Sequence, residues 1–241
     1  MKNFQKDAGL NRDNLRASLL LYGITDRSWI ACADKKHDFG IETLCSDVEQ
    51  CILGGATMIQ FREKSLTHAD FVRLGRRVQS VCRINNVPFI VNDDIAAAVE
   101  IGADGVHIGQ TDCKVTDARK IIGKHMILGV SAGTSCQAVR AEHDGADYIG
   151  SGAVFTTATK HDADSVSRDE LKRICASVAV PVVAIGGITT DNVHLLNGTG
   201  IAGISVISAL FGAEDKRRAA EQLVNKSRDI FSEKNINNSG I

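Results

Sequence analysis

Eight short apolar runs separated by amphipathic stretches, in a chain of 241 residues, predict an α/β fold: a (β/α)8 TIM barrel built as a single domain. Strict alternation of strand and helix requires parallel strands with helices packed outside them. The count of eight favours closure over a doubly wound open sheet, because a barrel of this kind uses about 250 residues.

The predicted strands are LLLYGIT (19–25), TMIQFR (57–62), PFIVND (88–93) and GVHIG (105–109). Four more follow: ILGVSA (127–132), DYIGSG (147–152), PVVAIGG (181–187) and GISVIS (203–208). Between the second and third, HADFVRLGRRVQSVCRIN places Phe71, Leu74, Val78, Val81 and Cys82 at helical spacing. Gly55-Ala56, Gly102-Ala103-Asp104 and Gly145-Ala146-Asp147 each fall where a helix should end and a strand begin, with glycine supplying the positive φ of the cap. This echo suggests duplicated units. Pro88 and Pro181, the two prolines, each open a strand, where a missing N–H does least harm. The polar stretch 1–18 is expected to be an N-terminal extension, 19–230 the barrel, and 231–241 a disordered tail. The connection 26–40 is long and follows the first strand on the face that carries barrel active sites.

A formal net charge of -1 gives no reason to expect nucleic acid or an anionic membrane as a partner. No apolar run approaches the roughly 20 residues that span a bilayer, and the polar start lacks a signal peptide's apolar core. A cytoplasmic location is expected, and a homo-oligomer is left open. The cysteines at 32, 45, 51, 82, 113, 136 and 175 form no Cys-X-X-Cys pair, which argues against a disulfide framework or a zinc cluster. Most are expected to be small core residues. No His-Glu-X-X-His spacing exists to suggest a zinc hydrolase.

Barrel chemistry belongs at the C-terminal ends of the strands. At the end of the second strand, QFREK, the period of two puts Gln60 and Arg62 on one face and Phe61 on the other. Ile59 and Phe61 suit the helix side, so Gln60 and Arg62 point inward with Lys64 just beyond, an arrangement that receives an anion. The third and fourth strands supply Asn92, Asp93 and Asp112. Carboxylates beside cations make sense around Mg2+, which takes one or two protein carboxylates and completes its shell with water and substrate phosphates. Asp94 reads as a helix-start acid, Asp104 as a turn residue and His107 as a hydrogen-bonded core histidine. Gly129, Gly150 and Gly152 are expected to leave room at the mouth, where Ser131 could donate to a substrate oxygen or serve as a core serine. The loop AVFTTATKHDADS, with Thr157, Thr159 and Lys160, has the composition of a mobile lid. Gly186, Gly187 and a helix beginning near Ser208 occupy the usual phosphate position after strands seven and eight. Two anion sites, one holding a metal-bound pyrophosphate and the other a monophosphate, suggest a transferase that displaces pyrophosphate.

Over roughly 19–225 the chain resembles the thiamine phosphate synthase family. The resemblance rests on YGITDR, GGATMIQFREK, VNDD, DGVHIGQTD, LGVSAGT, GADYIGSGAVFTTATK, VVAIGGIT and GISVISAL, in that order. It implies an enzyme that joins hydroxymethylpyrimidine diphosphate to a thiazole phosphate, with or without a carboxyl group, by Mg2+-assisted dissociative displacement. Its pyrimidine-diphosphate site would fall on Gln60, Phe61, Arg62, Glu63, Lys64, Asn92, Ser131 and Lys160. Of these, Arg62, Lys64, Ser131 and Lys160 would take the catalytic roles. Its metal ligands would be Asp93 and Asp112, and its thiazole-phosphate contacts Thr157, Ala158, Thr159, Gly187, Ile207 and Ser208. Gly133 stands where many members carry histidine, and FTTATK replaces the more usual Pro-Thr-Glu-Thr-Lys. A thiazole tautomerase of the same fold and a non-catalytic barrel that binds a phosphorylated metabolite are the alternatives.

Overall fold

The structure, a computed structural model, describes residues 12–30, 40–156 and 165–231. Eight parallel strands close into a barrel in sequence order, with β8 pairing back onto β1 through Leu21–Ile204, Tyr22–Ser205 and Gly23–Val206. They are β1 (Leu21–Ile24), β2 (Met58–Phe61), β3 (Phe89–Asn92), β4 (Gly105–Ile108), β5 (Ile127–Ser131), β6 (Tyr148–Ser151), β7 (Val182–Ile185) and β8 (Gly203–Val206). Each lies inside its predicted run. The runs overshoot by one or two residues at one or both ends, where turn and loop residues such as Thr25, Thr57, Arg62, Asp93 and Asp147 flank the ladders.

Helices α2 (Ile41–Leu53), α3 (His68–Ile84), α4 (Ile95–Ile101), α5 (Val115–Ile122), α6 (Ser135–His143) and α7 (Arg168–Ser177) pack outside. The short α8 (Ser208–Phe211) and long α9 (Lys216–Phe231) follow β8. In α3 the predicted stripe is the buried face: Phe71, Leu74, Val78 and Cys82 are buried and Val81 borders them. Full burial of each large side chain contributes about 1.5–3 kcal/mol. Thr67 starts this helix by accepting from the Asp70 N–H, and Asp94 starts α4 by accepting from Ala97, the role expected of it. At the other end of α4, Gly102 takes φ 73° and caps the helix.

Three expectations change. Between β7 and β8 the connection carries a 3-10 turn, Val193–Leu196, in place of a full helix. Within the stretch read as a polar extension, residues 12–18 form a helix, α1 (Arg12–Ser18). Its Leu15 and the following Leu19 enter the barrel interior beside Met58, Ile90, Ile127 and Val183, closing the lower end. Among the described cysteines only Cys51 and Cys82 are buried. Cys45, Cys113 and Cys175 sit at the core's edge, and Cys136 is exposed. No described helix is long and apolar enough to cross a membrane. Residues 232–241 of the predicted tail and most of the 26–40 connection lie outside the described residues, while Phe231 ends α9.

Candidate active site

Strand periodicity carries through to the site. Gln60 is buried inside the barrel and its amide nitrogen donates to the Tyr22 hydroxyl at 2.7 Å. Phe61 points the other way, packed edge-on against Phe71 at 4.9 Å between ring centres, so its side chain belongs to the outer core rather than the mouth. Arg62 continues Gln60's face beyond the strand end, its backbone N–H held by the Thr25 hydroxyl at 3.0 Å. Glu63 is spoken for by Arg27: the two make a double hydrogen bond at 2.6 and 2.7 Å, with only 12% and 6% of their side chains exposed. Its role is therefore to tie the β1 loop to the β2 loop, leaving Lys64 exposed just beyond.

The Asp93 and Asp112 carboxyls meet closely enough to hydrogen-bond when one is protonated. Asp93 is pushed up to about 6, by partial desolvation first and then by the Asp112 carboxyl, while the Asn92 amide and the Arg62 guanidinium pull it back down. Its backbone sits at φ 64°, a left-handed conformation that aspartate tolerates better than most residues. Asp112 is fixed by the Gly109 N–H at 2.6 Å, and Gln110 donates to the Ser131 carbonyl at 2.6 Å, which ties the β4 loop to the end of β5.

Room at the mouth is not what the inward glycines supply. A Cβ at Gly129 would enter the ring of Tyr148, one at Gly150 would come within 2.9 Å of the His107 ring, and one at Gly152 would strike the Ile185 carbonyl. The space is filled by the protein's own rings. His107 is hydrogen-bonded, as expected, to Tyr148 at 2.9 Å and to Ser131 at 3.0 Å. Tyr22 and Tyr148, missed in the sequence, share a hydrogen bond at 2.9 Å across the barrel. Burial pushes both phenols well above their usual range, so they stay protonated. The signal that could have found them was the pair of inward glycines, which large neighbours require.

Across the same rim, after β7, Gly186 and Gly187 take φ 104° and 62°, and the Asn192 amide donates to the Gly187 carbonyl at 2.8 Å. Ile207 precedes α8, which begins at Ser208 as predicted. Thr157, Ala158, Thr159 and Lys160 lie outside the described residues.

Residues 23–210 match the sequence model of the family described as thiamine monophosphate synthase. The chain belongs to that family. A thiamine-phosphate synthase from Clostridium beijerinckii is 42% identical over 206 residues, covering 86% of this chain and 94% of the relative. Another from Ruminiclostridium cellulolyticum is 48% identical over 183 residues, covering 76% and 87%. Among solved structures, thiamine phosphate pyrophosphorylase from Pyrococcus furiosus superposes with a TM-score of 0.80 at 36% identity, covering 90% of this chain and all of that one. A (S)-3-O-geranylgeranylglyceryl phosphate synthase from Thermoplasma acidophilum shares the fold alone, at 12% identity and a TM-score of 0.66. Against the thiamine monophosphate synthase family, the barrel, its closure and the strand order stand as read from the sequence.

Proposed function

We propose that this member of the thiamine monophosphate synthase family is a transferase that couples hydroxymethylpyrimidine diphosphate with a thiazole phosphate, with or without a carboxyl group. It releases pyrophosphate and forms thiamine phosphate. The observation that supports this most is the pairing of Asp93 with Asp112 within electrostatic reach of Arg62. Two carboxyls that crowd each other resist joint ionisation, and a hard divalent cation relieves that conflict. The donor set therefore fits Mg2+, which Asp93 and Asp112 would hold; when bound it would neutralise charge on the diphosphate.

The chain's own residues do the rest. Arg62 and Lys64, joined by Lys160, hold the departing pyrophosphate as the bond from the methylene carbon breaks and its electrons leave with the oxygen. Gln60, Asn92 and Ser131 orient the pyrimidine, whose electron-rich ring carries the cation left behind. Gly187, Ile207 and Ser208, with Thr157, Ala158 and Thr159, seat the thiazole phosphate so that its ring nitrogen forms the new carbon–nitrogen bond. Little proton transfer is needed, and positioning dominates. The enzyme's partners are two small phosphorylated molecules, and its compartment is the cytoplasm.

The test is to incubate the protein with both phosphorylated rings, with and without Mg2+, and to assay pyrophosphate. Release that requires both rings and the metal supports the reading. Isomerisation of a thiazole without pyrophosphate release would favour the tautomerase alternative.

A further inference from the structure

Five side chains from five strands form one unbroken hydrogen-bond chain through the barrel interior. From Gln60 Nε2 it runs to the Tyr22 hydroxyl (2.7 Å), the Tyr148 hydroxyl (2.9 Å), His107 Nδ1 (2.9 Å) and, from His107 Nε2, to Ser131 Oγ (3.0 Å). Its ends are two residues assigned above to the pyrimidine site. Its middle links, Tyr22, Tyr148 and His107, have no role in the chemistry. Nothing in the proposed reaction explains why a barrel interior otherwise filled by Met58, Ile90, Ile127 and Val183 should spend two tyrosines and a histidine here.

The chain has a direction. The Gln60 nitrogen can only donate, so the Tyr22 oxygen accepts from it and sends its own hydrogen to Tyr148. Tyr148 then donates to His107 Nδ1. A neutral imidazole that accepts at Nδ1 carries its proton on Nε2 and donates to Ser131. The opposite polarity would leave the hydrogen of the fully buried Tyr22 hydroxyl without an acceptor, which buried polar groups strongly resist. Two consequences follow at the mouth. Ser131 is left with a hydrogen to donate outward. Gln60, its nitrogen committed inward, is left with an amide oxygen to which nothing among the described residues donates.

We propose that Tyr22, Tyr148 and His107 are positioning residues, a one-way hydrogen-bond relay that fixes Ser131 as a donor and Gln60 as an acceptor. That polarity suits an aminopyrimidine, whose exocyclic amine donates and whose ring nitrogens accept. The inference rests on the pyrimidine assignment of the proposed function. The relay also makes Gln60 and Ser131, 71 positions apart in the chain, one mechanical unit. Disturbing a middle link therefore acts at both ends.

Two measurements test it. The first is independent of activity: 15N resonances of the His107 ring, assigned by their loss in His107→Gln. A single Nε2–H tautomer in the unaltered protein, giving way to averaged shifts in Tyr22→Phe, is expected. An Nδ1–H tautomer, or no change in Tyr22→Phe, overturns the relay. The second is a kinetic cycle of Tyr22→Phe, Ser131→Ala and the double variant, with Tyr148→Phe replacing Tyr22→Phe if the latter does not fold. Tyr22→Phe should lower kcat/KM for the pyrimidine diphosphate about tenfold, and the double variant should lose clearly less than the product of the two single losses, because the share transmitted through Ser131 is already gone. Independent, multiplying losses overturn the proposal. If the unaltered protein releases no pyrophosphate, the proposed function fails while the tautomer result still stands or falls by itself.

Discussion

Gly129 and the Tyr148 ring occupy one space: a Cβ on the first would lie inside the second. The two are register partners on β5 and β6, so neither strand can shift to relieve the clash without breaking the ladder. Gly129→Ala is therefore expected to destabilise the protein by about 1–3 kcal/mol, the usual range for overpacking. It should also cut activity more than its stability loss explains, because the displaced ring would part from His107. Thermal melts and turnover at a temperature where the variant stays folded check both halves.

The difference between what was legible in the sequence and what was not has a physical origin. Strand positions and the inward set of Gln60 and Arg62 follow from a period of two, which is local. Phe61 shows the same logic from the other side. The period that turned Gln60 inward sent this residue into the helix layer against Phe71. The Tyr22–Tyr148 bond joins residues 126 positions apart and depends on the closed register of the whole barrel. No local pattern encodes it. Likewise α1 looked merely polar, because its two buried leucines, Leu15 and Leu19, acquire an apolar partner only once the barrel has closed. Glu63 sat among site residues in QFREK, and only the fold reveals that Arg27 already holds it.

Asp93 sets a pH dependence of stability. Its folded value of about 6 lies above the ordinary 3.8, so between these limits the folded state binds more protons than the unfolded. The resulting stabilisation is fully present below about pH 4 and is lost as pH rises through 6. In metal-free buffer, Asp93→Asn should match the unaltered protein near pH 4 and exceed it above pH 6. The difference should be ~1 kcal/mol after allowing for solvent screening at this exposed rim. Mg2+ added above pH 6 should raise the melting temperature of the unaltered protein but not of Asp93→Asn. Denaturant titrations across the pH range, with and without the metal, provide the measurement.

The Arg27–Glu63 pair should behave as a mostly desolvated ion pair. Removing one partner leaves the other charge without compensation, so Arg27→Met is expected to cost about 3 kcal/mol. Arg27→Met combined with Glu63→Met should recover much of that loss, since two apolar side chains of similar volume need no compensation. Because Glu63 stands between Arg62 and Lys64, the single variant should also raise KM for the diphosphate substrate. Equal destabilisation by the single and double variants would contradict this account.

Leu19 separates the barrel's lower closure from its chemistry. It is fully buried at the end opposite the catalytic rim, and the backbone there lies so close to β8 that a Cβ on Gly203 would strike the Leu19 carbonyl. The neighbours cannot collapse far into space vacated at such a junction, so Leu19→Ala should destabilise by about 2–5 kcal/mol. Met58 and Ile90 share its cluster, but Gln60 and Asn92, one inward position further along the same strands, face the mouth. At a temperature well below the melt, kcat and KM should therefore stay within about twofold of the unaltered protein, a split that steady-state assays beside calorimetry would resolve. A large KM change in the folded variant would mean that packing at the lower end is felt at the upper rim. The Tyr22 and Tyr148 rings, which belong to the same buried cluster as Leu19, would be the route.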